Sequence, residues 1–147
     1  VLSDSTGTTE LASSYLVEMN CPPADREAVT VTLRTALALR EDQSEVTLFL
    51  DVEAVQLAVP GCKAQPPRVR QETDRLFEKL RVVGISILVC PHCAEKQNLS
   101  KRSMRPGLRF TSQEELEATR RHADLIFEYK PLKRDPSALS PSDTRSI

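Results

Sequence analysis

The sequence predicts an α/β domain built on a five-stranded, mostly parallel sheet with helices on both faces. Two observations lead there. Short apolar runs of strand length alternate with amphipathic helical stripes along the chain. Two of those runs are apolar almost throughout, as strands buried on both faces are, and Pro, Gly or Asn stands between elements. The alternation reads β-α-β-α-β-α-β-α-β, the pattern whose crossovers join parallel strands.

Taken in order, 15–19 (YLVEM) is a strand, broken by Asn20, Cys21 and the Pro22-Pro23 pair. Val29, Leu33, Ala36 and Leu37 recur at helical spacing, with Asp25 and Glu27 near the helix start, where negative charge suits the dipole. The run 45–50 (EVTLFL) is a buried strand ending at Asp51. A short piece over 52–59 follows and stops at Pro60-Gly61. Val69, Thr73, Leu76, Phe77, Leu80 and Val83 form the stripe of a long helix, with Pro67 near its start and Gly84 where a left-handed cap is needed. Residues 85–89 make a second buried strand opening into Cys90-Pro91-His92-Cys93. A short helix follows and ends at Asn98, which tolerates the left-handed conformation best after Gly. A strand over 108–110 precedes Ser112, which with Glu115 reads as a capping box for a helix through Leu116, Thr119 and Ala123. The last strand is 125–129 (LIFEY). The domain is therefore expected over 14–129, between a polar arm at 1–13 and a Pro-containing tail at 130–147.

Composition limits the function. The 20 basic residues are matched by 21 acidic ones, so the basic excess that phosphate binding demands is missing. With no Trp, two Tyr and four Phe, platforms for stacking bases are few, and no nucleic-acid partner is expected. No stretch approaches the ~20 apolar residues of a membrane helix. The first residues, VLSDSTGTTE, lack the basic start and apolar centre of a signal peptide. The expectation is a cytoplasmic protein with no membrane association, in a compartment where four cysteines serve catalysis, redox or metal binding rather than a disulfide frame.

In a parallel α/β sheet, chemistry collects beyond the carboxyl ends of the strands. Cys21 follows the first strand, Cys62 lies in the loop after the second, and Cys90 and Cys93 follow the third, so all four are expected at one edge. Cys90 stands where a helix begins, and unpaired N–H groups there favour a thiolate, the form that attacks sulfur. His92, Lys96, Lys101 and Arg102 would add positive charge if they point inward. Against this stands Cys90 as a small buried residue that merely ends a core strand. A thioredoxin-like dithiol is disfavoured by position, because only 54 residues follow Cys93. Cys-Pro-x-Cys is also half of many zinc sites. The chain offers no second C-x-x-C and no paired histidines, so a closed site would need Cys21 and Cys62 to converge on the pair. His122, among Arg120 and Arg121, reads as a solvated helix-face residue. Dinucleotide, P-loop and nucleophile-elbow motifs are all missing. Asp51 and Glu53 fit an acid/base pair or, more simply, a cap for the short segment after the second strand.

The stretch VTLFLDVEAVQLAV, followed by LFEKLRVVGISILVCPHCAEKQNL and RPGLRFTSQEELEATRRHADLIFEY, resembles the DsrE/DsrF-like family, which includes YchN-like and TusD-related members. The resemblance runs over about 15–129. It implies a three-layer α/β/α sandwich and a homo-oligomer, trimer or hexamer. It also implies, as in the sulfur-relay members, a persulfide carried between donor and acceptor proteins on the cysteine that ends the third strand, here Cys90. Asn98 stands where the family often has Gly. Cys93 matches a second cysteine found in some members and absent from the relay proteins. On this basis the expected function is sulfur handling of the persulfide-carrier or sulfurtransferase kind. Cys90 would be the attacking thiol and Cys93 the resolving one, with Asp51, Cys62, Cys21 and His92 in support and neither cofactor nor resident metal. The alternatives are a non-catalytic oligomeric partner-binding protein of the same fold, and a metal- or redox-sensing thiol protein using Cys90 and Cys93.

Overall fold

The structure, a computed structural model, describes residues 13–129. The arm expected over 1–13, apart from Ser13, and the tail over 130–147 lie outside the described residues. The five strands are β1 (Ser14–Met19), β2 (Glu45–Leu50), β3 (Ser86–Val89), β4 (Leu108–Phe110) and β5 (Leu125–Tyr129). The helices are α1 (Arg26–Glu41), α2 (Pro67–Val82), α3 (Pro91–Lys96) and α4 (Gln113–His122). Two 3₁₀ turns, Val52–Ala58 and Lys101–Ser103, complete the path, and the second has no counterpart in the sequence reading. The strands lie in the order β4-β3-β2-β1-β5, and every neighbouring pair is parallel.

That order divides the layers unequally. The steps from β1 to β4 all move one strand in the same direction, so right-handed crossovers put their helices on one face. The final step, from β4 back to beside β1, puts α4 on the other. The larger core joins Val17, Met19, Leu48, Leu50, Ile87 and Val89 of the sheet to α1 and α2 through Val29, Leu33, Leu76, Phe77 and Leu80. The smaller one joins Leu16, Phe49 and Leu88 to Leu116 of α4. Strand residues alternate between the two, as the pleat requires. The result is a three-layer α/β/α arrangement whose second layer is, among the described residues, one ten-residue helix.

Several ends form as their residues dictate. Asp25 caps α1 by accepting from the Ala28 N–H. Gly84, at φ 84°, ends α2 in a Schellman motif: its N–H reaches the Arg81 carbonyl, and the Ile85 N–H reaches that of Leu80. This motif claims Ile85, so β3 begins one residue later than its apolar run. Asn98, at φ 58°, ends α3 the same way, through Asn98 to Glu95 and Leu99 to Ala94. The capping box at α4 forms only by half. Ser112 Oγ accepts from the Glu115 N–H at 3.0 Å, but the Glu115 carboxylate is held by Arg109 and Thr111 instead of turning back to the Ser112 N–H. An ion pair with a guanidinium on the adjacent strand outcompetes a neutral backbone donor.

Candidate functional site

Register builds the site. Leu50 and Val89, the last residues of β2 and β3, are partners across the sheet. The residues that follow them, Asp51 and Cys90, therefore leave the carboxyl edge side by side, although 39 positions apart in the chain. Cys90 is held by its N–H on the Leu50 carbonyl at 3.0 Å, and Asp51 by its N–H on the Met19 carbonyl at 2.9 Å. Pro91 then starts α3, and one helical turn brings Cys93 back over both. The Cys93 thiol donates to Asp51 Oδ1 at 3.2 Å, and the Cys93 N–H points at Cys90 Sγ at 3.4 Å, so the Cys90 sulfur caps its own helix. Asp51, Cys90 and Cys93 are each half-buried, and their ligating atoms lie within 4.8 Å of one another.

Burial, the Cys90 sulfur and the Asp51 carboxylate together push the Cys93 thiol up to about 12, against a smaller opposing effect of the Val52 N–H. Distance from the helix start alone would leave Cys93 near the ordinary cysteine value; burial and the carboxylate, which the sequence reading did not place beside it, change that. Val52 is the other feature it missed. This β-branched residue sits at φ 54°, in the left-handed region that such side chains avoid. Its N–H donates to Asp51 Oδ1 at 2.9 Å. A strained residue beside the cluster, at a cost on the order of 1–3 kcal/mol, fixes how Asp51 leaves β2. No glycine or Asn marks the position, so the sequence carries no signal for it.

The remaining expected residues stand apart from this cluster. Cys21 is fully buried in the larger core, and burial pushes its thiol up to about 11. Cys62 is half-buried, with its sulfur 4.0 Å from Gln56 Oε1, while the Gln56 amide donates to Gln97 at the end of α3. His92 is exposed on α3, and Lys96, Lys101 and Arg102 are exposed as well, turned to solvent instead of inward. His122 is largely exposed, 3.6 Å from Glu45. Asp51 caps the first 3₁₀ turn as expected, and Glu53 is exposed. The cluster sits at neighbouring strands β2 and β3, not at β1 and β5, where the winding reverses. No described helix is long and apolar enough to cross a membrane.

No family model matches the chain, and no curated protein does. Solved structures do. The ychN protein from E. coli superposes with a TM-score of 0.67 at 23% identity, over 80% of this chain and 99% of that one. The protein of unknown function MTH1491 from Methanobacterium thermoautotrophicum gives 0.62 at 11% identity, over 81% of this chain and 99% of its own. At these identities the likeness is one of fold. It is the YchN-like fold that the sequence resemblance implied.

Proposed function

We propose that this chain is a sulfur-handling protein of the DsrE-like kind that carries sulfane sulfur on Cys90. The observation that supports the reading is the meeting of two thiols and a carboxylate, Cys90, Cys93 and Asp51, at one half-buried strand edge. Cys93, pushed up to about 12, keeps its proton at neutral pH and donates a hydrogen bond to Asp51 Oδ1, while its N–H faces Cys90 Sγ. In the loading step the Cys90 thiolate attacks the outer sulfur of a donor persulfide. A new S–S bond forms to Cys90, the donor's S–S bond breaks, and the donor leaves as a thiolate that takes the proton Cys90 gave up. In the unloading step an acceptor thiolate attacks the outer sulfur of the Cys90 persulfide and returns Cys90 to the thiolate. The competing reaction, attack by Cys93 on the inner sulfur to expel hydrosulfide and close a disulfide, needs the Cys93 thiolate. Burial, the Cys90 sulfur and the Asp51 carboxylate suppress that form, so the persulfide persists long enough to be passed on.

The test is intact-protein mass spectrometry after exposure of the reduced chain to a small-molecule persulfide. The expected result is an added mass of one sulfur atom on the wild type and on Cys93→Ser, and none on Cys90→Ser. An adduct that survives in Cys90→Ser and disappears in Cys93→Ser would reverse the assignment.

A further inference from the structure

We infer that Asp51, Cys90 and Cys93 also form a binding site for a single soft divalent cation of the zinc class. It is the one group of three such ligands among the described residues. In a tetrahedral zinc site, bonds of about 2.3 Å to sulfur and 2.0–2.2 Å to carboxylate oxygen put neighbouring ligand atoms roughly 3.4–3.8 Å apart. Here the three atoms already fall within 4.8 Å of one another, and Cys93 Sγ and Asp51 Oδ1 are 3.2 Å apart. Small rotations about the side-chain bonds close the set on an ion.

The ligands are also pre-positioned. Cys90 and Asp51 issue from the ends of adjacent strands, tied by backbone hydrogen bonds of 3.0 and 2.9 Å, and Cys93 lies one turn into a capped helix. Outer hydrogen bonds orient them: the Cys93 N–H faces Cys90 Sγ, and the Val52 N–H holds Asp51 Oδ1. None of the three is fully exposed, which separates them from surface carboxylates that gather without binding anything. Two sulfurs and one oxygen select a zinc-like ion over magnesium or calcium, which take oxygen ligands. Three protein ligands are the count of an open site with a fourth position for water or another ligand, not of a closed structural one. The sequence reading sought the ligands that complete the Cys90–Cys93 pair in Cys21 and Cys62, because it looked for a closed thiolate set. The third ligand is instead a carboxylate brought in by strand register.

Where the sulfur-carrier reading holds, the ion and the sulfane sulfur compete for the Cys90 sulfur, and an occupied site cannot be loaded. Binding itself does not depend on that reading, so the two are tested apart. The reduced full chain is titrated anaerobically with Co²⁺ alone, without a sulfur donor. The expected result is one ion per chain, with sulfur-to-cobalt charge-transfer absorption in the near ultraviolet and the strong visible bands of a tetrahedral site. Zn²⁺ displaces the ion and Mg²⁺ does not. Cys90→Ser and Cys93→Ser, isosteric changes that keep the fold, each weaken binding at least a hundredfold. Asp51→Asn weakens it at least tenfold, while Cys62→Ser leaves it unchanged. The inference is overturned if the wild type shows no charge-transfer band, if the band survives loss of either Cys90 or Cys93, or if Asp51→Asn binds like the wild type. A cobalt-silent chain that still gains sulfur would sink this site and leave the carrier reading intact; the opposite pair of results would do the reverse.

Discussion

A half-buried thiol 3.2 Å from a carboxylate oxygen and next to a second sulfur gives up its proton reluctantly, because burial withholds water from the charged form and ionising it puts negative charges side by side. The shift up to about 12 leaves Cys93 far less thiolate at neutral pH than a free cysteine. Alkylation at pH 7.5, followed residue by residue by peptide mass spectrometry, should therefore leave Cys93 largely unmodified while half-exposed Cys62 reacts. Asp51→Ala removes one of the causes and should raise the Cys93 rate at least several-fold; an unchanged rate would mean the carboxylate does not govern this thiol. Cys21 gives a second, independent reading. Its value is raised in the fold, so the stability it contributes is full below the ordinary value of 9.0 and is lost as pH rises toward about 11. Urea unfolding of the wild type should weaken between pH 9 and 11, and Cys21→Ala should show a flatter decline from a lower starting stability. Equal slopes for the two proteins would contradict it.

At the scale of elements, the exposed face of the sheet depends on α4. Leu116 is the residue of α4 that closes over Leu16, Phe49 and Leu88. Leu116→Ala should cost about 2–4 kcal/mol in denaturant unfolding, and Ser112→Ala, which removes the cap on the Glu115 N–H, about 1 kcal/mol. If Leu116→Ala proves nearly neutral, α4 does not close this face. The same elements show what a sequence can reveal. The Gly84 and Asn98 stops and the run 45–50 were legible because each depends on local backbone chemistry, whereas Asp25 was read only as charge near the helix start and the structure makes it the cap. The strand order was not. Alternating strands and helices dictate parallel pairing, but nothing in 125–129 says that it lies beside β1 instead of β4. Nor was the Asp51–Cys93 contact legible, since it arises only from the pairing of Leu50 with Val89. Cys90 and Cys93 drew notice through their spacing; their partner carboxylate needed the sheet.

At the scale of the whole molecule, the described surface leaves two large apolar side chains exposed on one edge strand. Strand β5 pairs on one side only, with β1, and its other side is an edge. Edge strands invite pairing with another chain, and proteins blunt them with charge, proline or a covering element. Here β5 instead begins with Leu125 and Ile126, 55% and 46% exposed. Two large apolar side chains on an edge that no other described residue covers are what a contact between copies would bury. We therefore expect a homo-oligomer that uses β5, in line with the trimer or hexamer that the family resemblance implies. Sedimentation velocity at micromolar concentration should give a mass that is a multiple of the 16.4 kDa chain. Leu125 and Ile126 contribute little to the core of a single chain, so the double change Leu125→Lys, Ile126→Lys should release folded monomers with unchanged circular dichroism. A wild type that sediments as a monomer would refute the assembly. A mutant that stays oligomeric would move the contact away from β5, because lysines on an edge strand oppose pairing through both their charge and their desolvation cost.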